Sequence, residues 1–164
     1  MKKMIIVGAV IFASFSSQAA YEVIYNQDIF TLVKFSDEFT EEVTSCQLNV
    51  GDYAKDKPRI SFFSRPTKDL SSVNVSGNVG SFGGSGYQFK IDKGEMIKKG
   101  KTSAGGDEVY GNVNLSTLDE LANGNKLILR VHPDNRYVDS RTETYSLKGS
   151  SLAISKFKNC LAGS

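Results

Sequence analysis

The sequence contains no tryptophan, a single histidine, two cysteines and three prolines among its 164 residues. One histidine and two cysteines leave few of the ligands that zinc or iron sites use, so we expect no metal and no cofactor. A Ser-His-Asp triad would require His132, which Pro133 follows directly, and no Gly-x-Ser-x-Gly motif is present. We therefore expect a surface histidine in a protein that is not an enzyme, with an enzyme built around His132 as the alternative.

The sequence also lacks an apolar run long enough to cross a membrane. The basic Met1-Lys2-Lys3 precedes about 12 largely apolar residues, Met4–Phe15, where a spanning helix needs roughly 20. Small residues then occupy the positions that a signal peptidase recognises. This pattern predicts a secretory signal peptide over residues 1–19, cleaved between Ala19 and Ala20, and a single domain over 20–164. The protein would be periplasmic or secreted, and a membrane anchor is the alternative interpretation.

Excess charge of either sign is absent as well. Loss of Lys2 and Lys3 with the signal peptide would cancel the formal net charge of +2, so no overall field favours nucleic acid or an anionic membrane. The densest basic stretch contains Lys90, Lys93, Lys98, Lys99 and Lys101. Its simplest interpretation is a solvated loop. The candidate binding residues, from this stretch and from interface-prone tyrosines, are Lys93, Lys98, Lys99, Lys101, Tyr87 and Tyr110.

The two cysteines, Cys46 and Cys160, are far apart in the sequence. Two cysteines in an exported protein most simply form one disulfide, which would close a loop of more than a hundred residues. The chain-entropy model gives about 4–5 kcal/mol for such a loop. Free thiols or pairing between chains are the alternatives. Neither cysteine belongs to a Cys-x-x-Cys motif, which argues against a redox role.

Alternating and β-branched segments dominate the remainder, and about nine of them predict strands. A short internal helix is predicted over Ser116–Gly124, capped by Ser116 and ended by Gly124 in a left-handed conformation. A C-terminal helix is predicted from about Ser151, with Ser150 as its cap. Helical spacing places its apolar residues on one stripe, Ala153, Ile154, Phe157, Cys160 and Leu161. We expect a mainly β fold, a β-sandwich-like antiparallel domain with these two helices and one disulfide. The predicted loops are Ser36–Glu42, Ser76–Gly86 and Lys93–Gly106.

The second half of the chain has a recognisable order of short motifs. Phe89-Lys90-Ile91-Asp92-Lys93-Gly94 comes first, then Leu118-x-x-Leu121-x-x-Gly124-x-x-Leu127, and finally Tyr145-Ser146-Leu147-x-Gly149-x-x-x-Ala153-Ile154. The order resembles the invasion-associated locus B group of bacterial periplasmic proteins and related exported domains. The resemblance implies a signal peptide and a β-sandwich, and it offers no catalytic residues. The tryptophan and the middle cysteine pair usual in that group are missing here.

These patterns together lead to one functional hypothesis and one alternative. We expect a non-enzymatic exported accessory or binding protein that recognises an envelope component or a protein partner. The alternative is an inhibitor or exclusion factor acting on an envelope enzyme or channel, with one of the glycine- or lysine-rich loops inserted into its target. In either case we expect a monomer without a transmembrane segment in its mature chain.

Overall fold

The computed structural model describes residues 19–51, 57–66, 72–78, 84–99, 101–102, 108–133 and 139–163. Nearly all of the predicted signal peptide, residues 1–18, therefore lies outside the described residues. Eleven strands and two helices are described, in the order β1 Ala19–Gln27, β2 Phe30–Asp37, β3 Val43–Val50, β4 Arg59–Ser64, β5 Ser72–Asn78, β6 Gly84–Ile91, β7 Ile97–Lys99, β8 Lys101–Thr102, β9 Glu108–Asn114, α1 Ser116–Asn123, β10 Lys126–Pro133, β11 Arg141–Ser146 and α2 Ser150–Ala162.

The strands form two antiparallel sheets. The larger has seven strands in the order β1-β2-β3-β4-β5-β9-β8, and the smaller has four in the order β11-β10-β6-β7. Successive residues of a strand point to opposite faces, and the alternating sequence therefore gives each sheet one apolar face. The predicted mainly β, sandwich-like fold is confirmed, with two more strands than expected. No helix among the described residues is long and apolar enough to span a bilayer.

Aromatic residues fill the space between the two sheets. Phe62 of β4 meets Phe89 of β6 edge to face, with ring centroids 6.4 Å apart. Tyr87 stacks on Phe89 and lies against Gly77 of β5, where an added Cβ would come within 2.9 Å of the tyrosine ring. Gly77 thus leaves the room that Tyr87 occupies, and the two sheets can approach closely at this point.

Helix α2 covers the inner face of the larger sheet beside β2 and β3. Its buried side chains form one stripe, which is the stripe that the sequence predicts: Ala153, Ile154, Phe157, Cys160 and Leu161. Cys160 forms a disulfide with Cys46 of β3, with the two Cα atoms 6.3 Å apart, so the predicted bond is confirmed. Among the described residues no cysteine is free. The bond fastens the helix to the sheet on which it packs.

The helix boundaries differ from the prediction in their caps. Ser116 and Ser150 are the first helical residues, and Leu115 and Gly149 occupy the N-cap positions without a side-chain cap. The Ser150 hydroxyl instead donates a hydrogen bond to the Ala122 carbonyl at 3.3 Å, which joins α2 to α1. Gly124 ends α1 in the extended region, with φ −78° and ψ 166°, so the predicted left-handed conformation is wrong.

Gly124 is nevertheless required for a steric reason. An added Cβ would lie 2.4 Å from the Cγ2 atom of Ile91 in β6. The close approach allows α1 to end directly against the smaller sheet.

Candidate binding surfaces

The predicted basic loop is part of the sandwich edge. Residues 97–99 form β7 at the edge of the smaller sheet, and residues 101–102 form β8 at the edge of the larger one. The prediction of an irregular stretch over Lys93–Gly106 is therefore wrong for its middle part, because each segment pairs with a longer neighbouring strand. The chain passes from one sheet to the other between Lys99 and Lys101. Residues 103–107 lie outside the described residues.

Four of the six candidate binding residues, Lys98, Lys99, Lys101 and Tyr110, lie on β7, β8 and β9. Lys101 is in register with Tyr110 of β9, whose side chain is exposed, and Lys98 is in register with Gln88 of β6. Lys93 is exposed in the turn between β6 and β7. Of these basic positions, Lys101 is the one that the strand pairing places opposite Tyr110.

Tyr87 does not belong to this surface. Its side chain is 0% exposed, and burial raises the pKa of its phenol far above the usual range. Its selection as a binding residue is therefore wrong, because it faces the other sheet. The signal was present in the sequence, since Tyr87, Phe89 and Ile91 alternate with polar residues and should share one face.

A cleft of about 370 Å³ opens beside the basic edge. Strand β8 pairs with β9 only at Val109 and Tyr110. The later residues of β9, from Asn112 onward, line the cleft. The turn before β7, the end of β9 and the first turns of α1 form its walls. The lining residues are Glu95, Met96, Ile97, Asn112, Val113, Asn114, Ser116, Thr117 and Glu120.

The cleft presents both hydrogen-bond donors and acceptors. The carboxylates of Glu95 and Glu120 accept, the amide of Asn114 donates and accepts, and the hydroxyl of Ser116 does both. These four residues are exposed, and the exposed Met96 adds an apolar surface at the rim. The arrangement suits a hydrophilic ligand with hydroxyl, amide or amino groups.

Asp92 fixes the turn that forms one wall of the cleft. Its carboxylate accepts hydrogen bonds from the N–H groups of Asn125 and Lys126, each at 3.0 Å. These bonds, chiefly that of Asn125, hold the pKa of Asp92 below its usual range. Asp92 also has a positive φ of 51°, which starts the turn toward Gly94 and Glu95. The wall is thus anchored to the start of β10.

His132 lies apart from these residues, at the end of β10. Its Nδ1 atom is 2.8 Å from the hydroxyl of Ser140, across the β10–β11 connection. The ring is partly buried, so the expected surface position is only partly met. A contact between an imidazole and a hydroxyl is an ordinary structural hydrogen bond. Among the residues of the described ranges, no group of three or more His, Cys, Asp or Glu side chains could hold a metal ion.

A second surface, which sequence reasoning missed, lies at the opposite edge of the larger sheet. On the outer face of β1 and β2, Tyr21 is in register with Phe35 and Val23 with Val33. Tyr21 is 74% exposed and Val23 is 51% exposed. We call these four residues and Phe39 of the β2–β3 hairpin the apolar corner.

The hairpin that carries Phe39 is held by hydrogen bonds. The N–H groups of Phe39 and Thr40 donate to the Asp37 carboxylate at 2.9 Å each, and the bond from Thr40 contributes most to holding the pKa of Asp37 below its usual range. Glu41 N–H donates to the Asp37 carbonyl, and Asp37 N–H donates to the Glu42 carbonyl. The predicted loop over Ser36–Glu42 is thus a short, well-bonded turn. Phe39 projects from it with 94% of its side chain exposed.

Comparison with known proteins identifies the fold. No family model matches the chain, and no curated protein matches it. The solved structure of invasion associated protein B from Bartonella henselae resembles it with a TM-score of 0.58 and 14% sequence identity, over 82% of this chain and 95% of that one. The resemblance expected from the sequence motifs is therefore shown at the level of the fold. At this identity no residue's role carries over.

Proposed function

We propose that the protein is a non-enzymatic, exported accessory protein that binds a hydrophilic component of the bacterial envelope. The observation that carries the proposal is the cleft between β7, β9 and α1, where carboxylate, amide and hydroxyl groups converge from three separate elements. Hydroxyl-rich and amino-bearing ligands such as cell-wall glycans match this mixture of donors and acceptors. The basic positions of β7 and β8 next to it would attract acidic groups on the same ligand.

Export is supported by the sequence and by the disulfide. The first nineteen residues have the features of a secretory signal, and disulfides persist in oxidising compartments. Cell fractionation with N-terminal sequencing of the mature protein tests this part, and an N-terminus at Ala20 is the expected result.

Binding is tested by calorimetric titration with soluble peptidoglycan fragments. We expect saturable binding that Asn114→Ala and Glu120→Gln each weaken about tenfold, the effect of losing one or two hydrogen bonds. Glu38→Gln at the opposite edge is the matched control for Glu120→Gln and should bind as the wild type does. Absence of binding, or equal binding by all variants, would refute the assignment of the cleft.

The same fragments separate binding from catalysis and from inhibition. Chromatography after prolonged incubation should show the fragments unchanged, and turnover that depends on His132 or Glu120 would contradict the non-enzymatic role. An inhibitor of a wall-degrading enzyme would instead suppress lysis in proportion to its concentration, without binding the fragments themselves.

A further inference from the structure

The apolar corner is an unusual surface for a protein exposed to water. Three of its five side chains, Tyr21, Val23 and Phe39, are large apolar groups that are more than half exposed. The two partly buried members, Val33 and Phe35, pair across the strands with Val23 and Tyr21, and Phe39 lies in the turn two residues beyond the end of β2. Contiguous exposed patches of this kind mark interaction sites in soluble proteins.

The backbone beside this patch is also open. Strand β1 is the terminal strand of the larger sheet, and within the described ranges only β2 pairs with it. Proteins usually protect a long edge strand with charges, prolines or covering loops. In β1, Glu22 is the only charged residue, and it forms an ion pair with Lys34 of β2 at 2.6 Å. An extended segment could therefore add to the sheet at this edge.

The charge around the corner selects the kind of partner. Glu38, Glu41 and Glu42 are exposed around Phe39, and no ion pair joins them to another residue of the described chain. A cleft of about 420 Å³ beside the hairpin has four acidic residues in its lining, Glu22, Asp37, Glu38 and Glu41, against one cation, Lys34, which is paired with Glu22. This charge repels an anionic membrane, and two copies of the same acidic corner would repel each other. A cationic partner is complementary to it.

We infer that the apolar corner is the docking site for an extended cationic segment of another protein, which pairs with the free edge of β1. Its apolar side chains pack on Tyr21, Val23 and Phe39, and its lysine or arginine side chains meet Glu38 and Glu41. The hydrogen bonds of Asp37 fix the backbone of the turn at Phe39 and Thr40 before binding, which reduces the backbone part of the ordering cost of association.

This site is independent of the cleft proposed above. Strand β1 is one edge of the seven-stranded sheet, and β9, which forms a wall of the cleft, is five strands away, so strand spacings of roughly 4.8 Å place the sites about 24 Å apart. Variants of one site should leave the other unchanged, and the two proposals can therefore fail separately.

The test uses synthetic peptides of about eight residues, the length of a strand, with alternating lysine and valine, and matched peptides with glutamate in place of lysine. Backbone amide resonances of the full mature protein report where each peptide binds. We expect the lysine peptide to shift resonances of β1 and the hairpin and to leave those of the cleft in place. Raising the salt from about 50 mM to about 500 mM should weaken it roughly tenfold, because exposed charges are screened. Phe39→Ala and Glu38→Gln/Glu41→Gln should each weaken binding about tenfold.

Leu152→Ala is the control variant, because Leu152 is also a large, exposed apolar residue but lies on α2. It should bind as the wild type does. Equal binding of the two peptides, shifts outside the corner, or no effect of Phe39→Ala would overturn the inference. Self-association that Phe39→Ala abolishes would overturn it too, by assigning the corner to a second copy of this chain. Binding of vesicles of anionic lipid through Phe39 would assign it to a membrane instead.

Discussion

Reduction of the Cys46–Cys160 disulfide should cost this domain a large part of its stability. The two cysteines are separated by 114 residues, and the chain-entropy relation gives about 4.8 kcal/mol at 25 °C for closing a loop of that length. Native domains are stable by roughly 5–15 kcal/mol in total. The reduced protein should therefore be marginal, with a melting temperature about 10–20 °C lower, at 2–4 °C per kcal/mol.

Comparison of the oxidised and reduced wild type isolates this contribution. Both cysteines are buried in the folded protein, and a buried thiol packs like a small apolar group, so reduction leaves the native packing almost unchanged. Urea unfolding with and without a phosphine reductant gives the two free energies of unfolding. The denaturant dependence should also be steeper for the reduced form, since its unfolded chain is more expanded.

The double variant Cys46→Ala/Cys160→Ala is the second measurement. It should lose somewhat more stability than reduction does, because two small cavities are added. A difference below about 1 kcal/mol between the oxidised and reduced wild type would refute the reasoning. It would mean that the bond hardly restricts the unfolded chain.

Three further predictions concern other parts of the fold. Gly77→Ala should destabilise by about 1–3 kcal/mol in urea unfolding, because its methyl group would overlap the Tyr87 ring; an unchanged midpoint would contradict this packing. Tyr145→Phe should cost about 1 kcal/mol in the same assay, because the Tyr145 hydroxyl donates a buried hydrogen bond to the Pro58 carbonyl; equal stability would show that the bond contributes nothing. The lowered pKa of Asp92 stabilises the folded state above the unfolded-state pKa near 3.8, and this contribution disappears as the pH falls through the lower folded-state pKa. Thermal melts between about pH 6 and pH 2 should therefore lose less stability for Asp92→Asn than for the wild type, and parallel curves would contradict the role of Asp92.

The architecture could be predicted to the extent that local patterns decide it. Alternation between apolar and polar residues places strands correctly because it reflects which face of a sheet is buried, as in Tyr87–Ile91. The disulfide could be predicted because the chain has only two cysteines and the features of an exported protein. The apolar stripe of α2 was equally visible, since helical spacing brings Ala153, Phe157 and Cys160 to one side.

The parts that could not be predicted depend on neighbours distant in sequence. Strands β7 and β8 have no alternation of their own and exist because β6 and β9 offer them a partner. The role of Gly124 depends on Ile91, 33 positions earlier in the chain, which no local rule connects to it. The apolar corner was missed although its signal at Phe39 is local and needs no distant neighbour. An aromatic residue within an acidic turn is a local signal, and its conflict with the surrounding polarity indicates an interaction site.

The disulfide also has a consequence for the order in which the molecule is completed. Synthesis proceeds from the N-terminus, so strands β1–β5 are finished long before the residues of α2 exist. Until then Cys46 has no partner, and the inner face of β2 and β3 has no helix to cover it. Joint oxidation of Cys46 and Cys160 to the disulfide, in which an external thiol oxidant such as an oxidoreductase accepts the two electrons, can therefore occur only in a chain that has been made at least as far as α2. A chain interrupted earlier would keep a reactive thiol beside exposed apolar residues, which are the two features by which chaperones and oxidoreductases could recognise unfinished molecules.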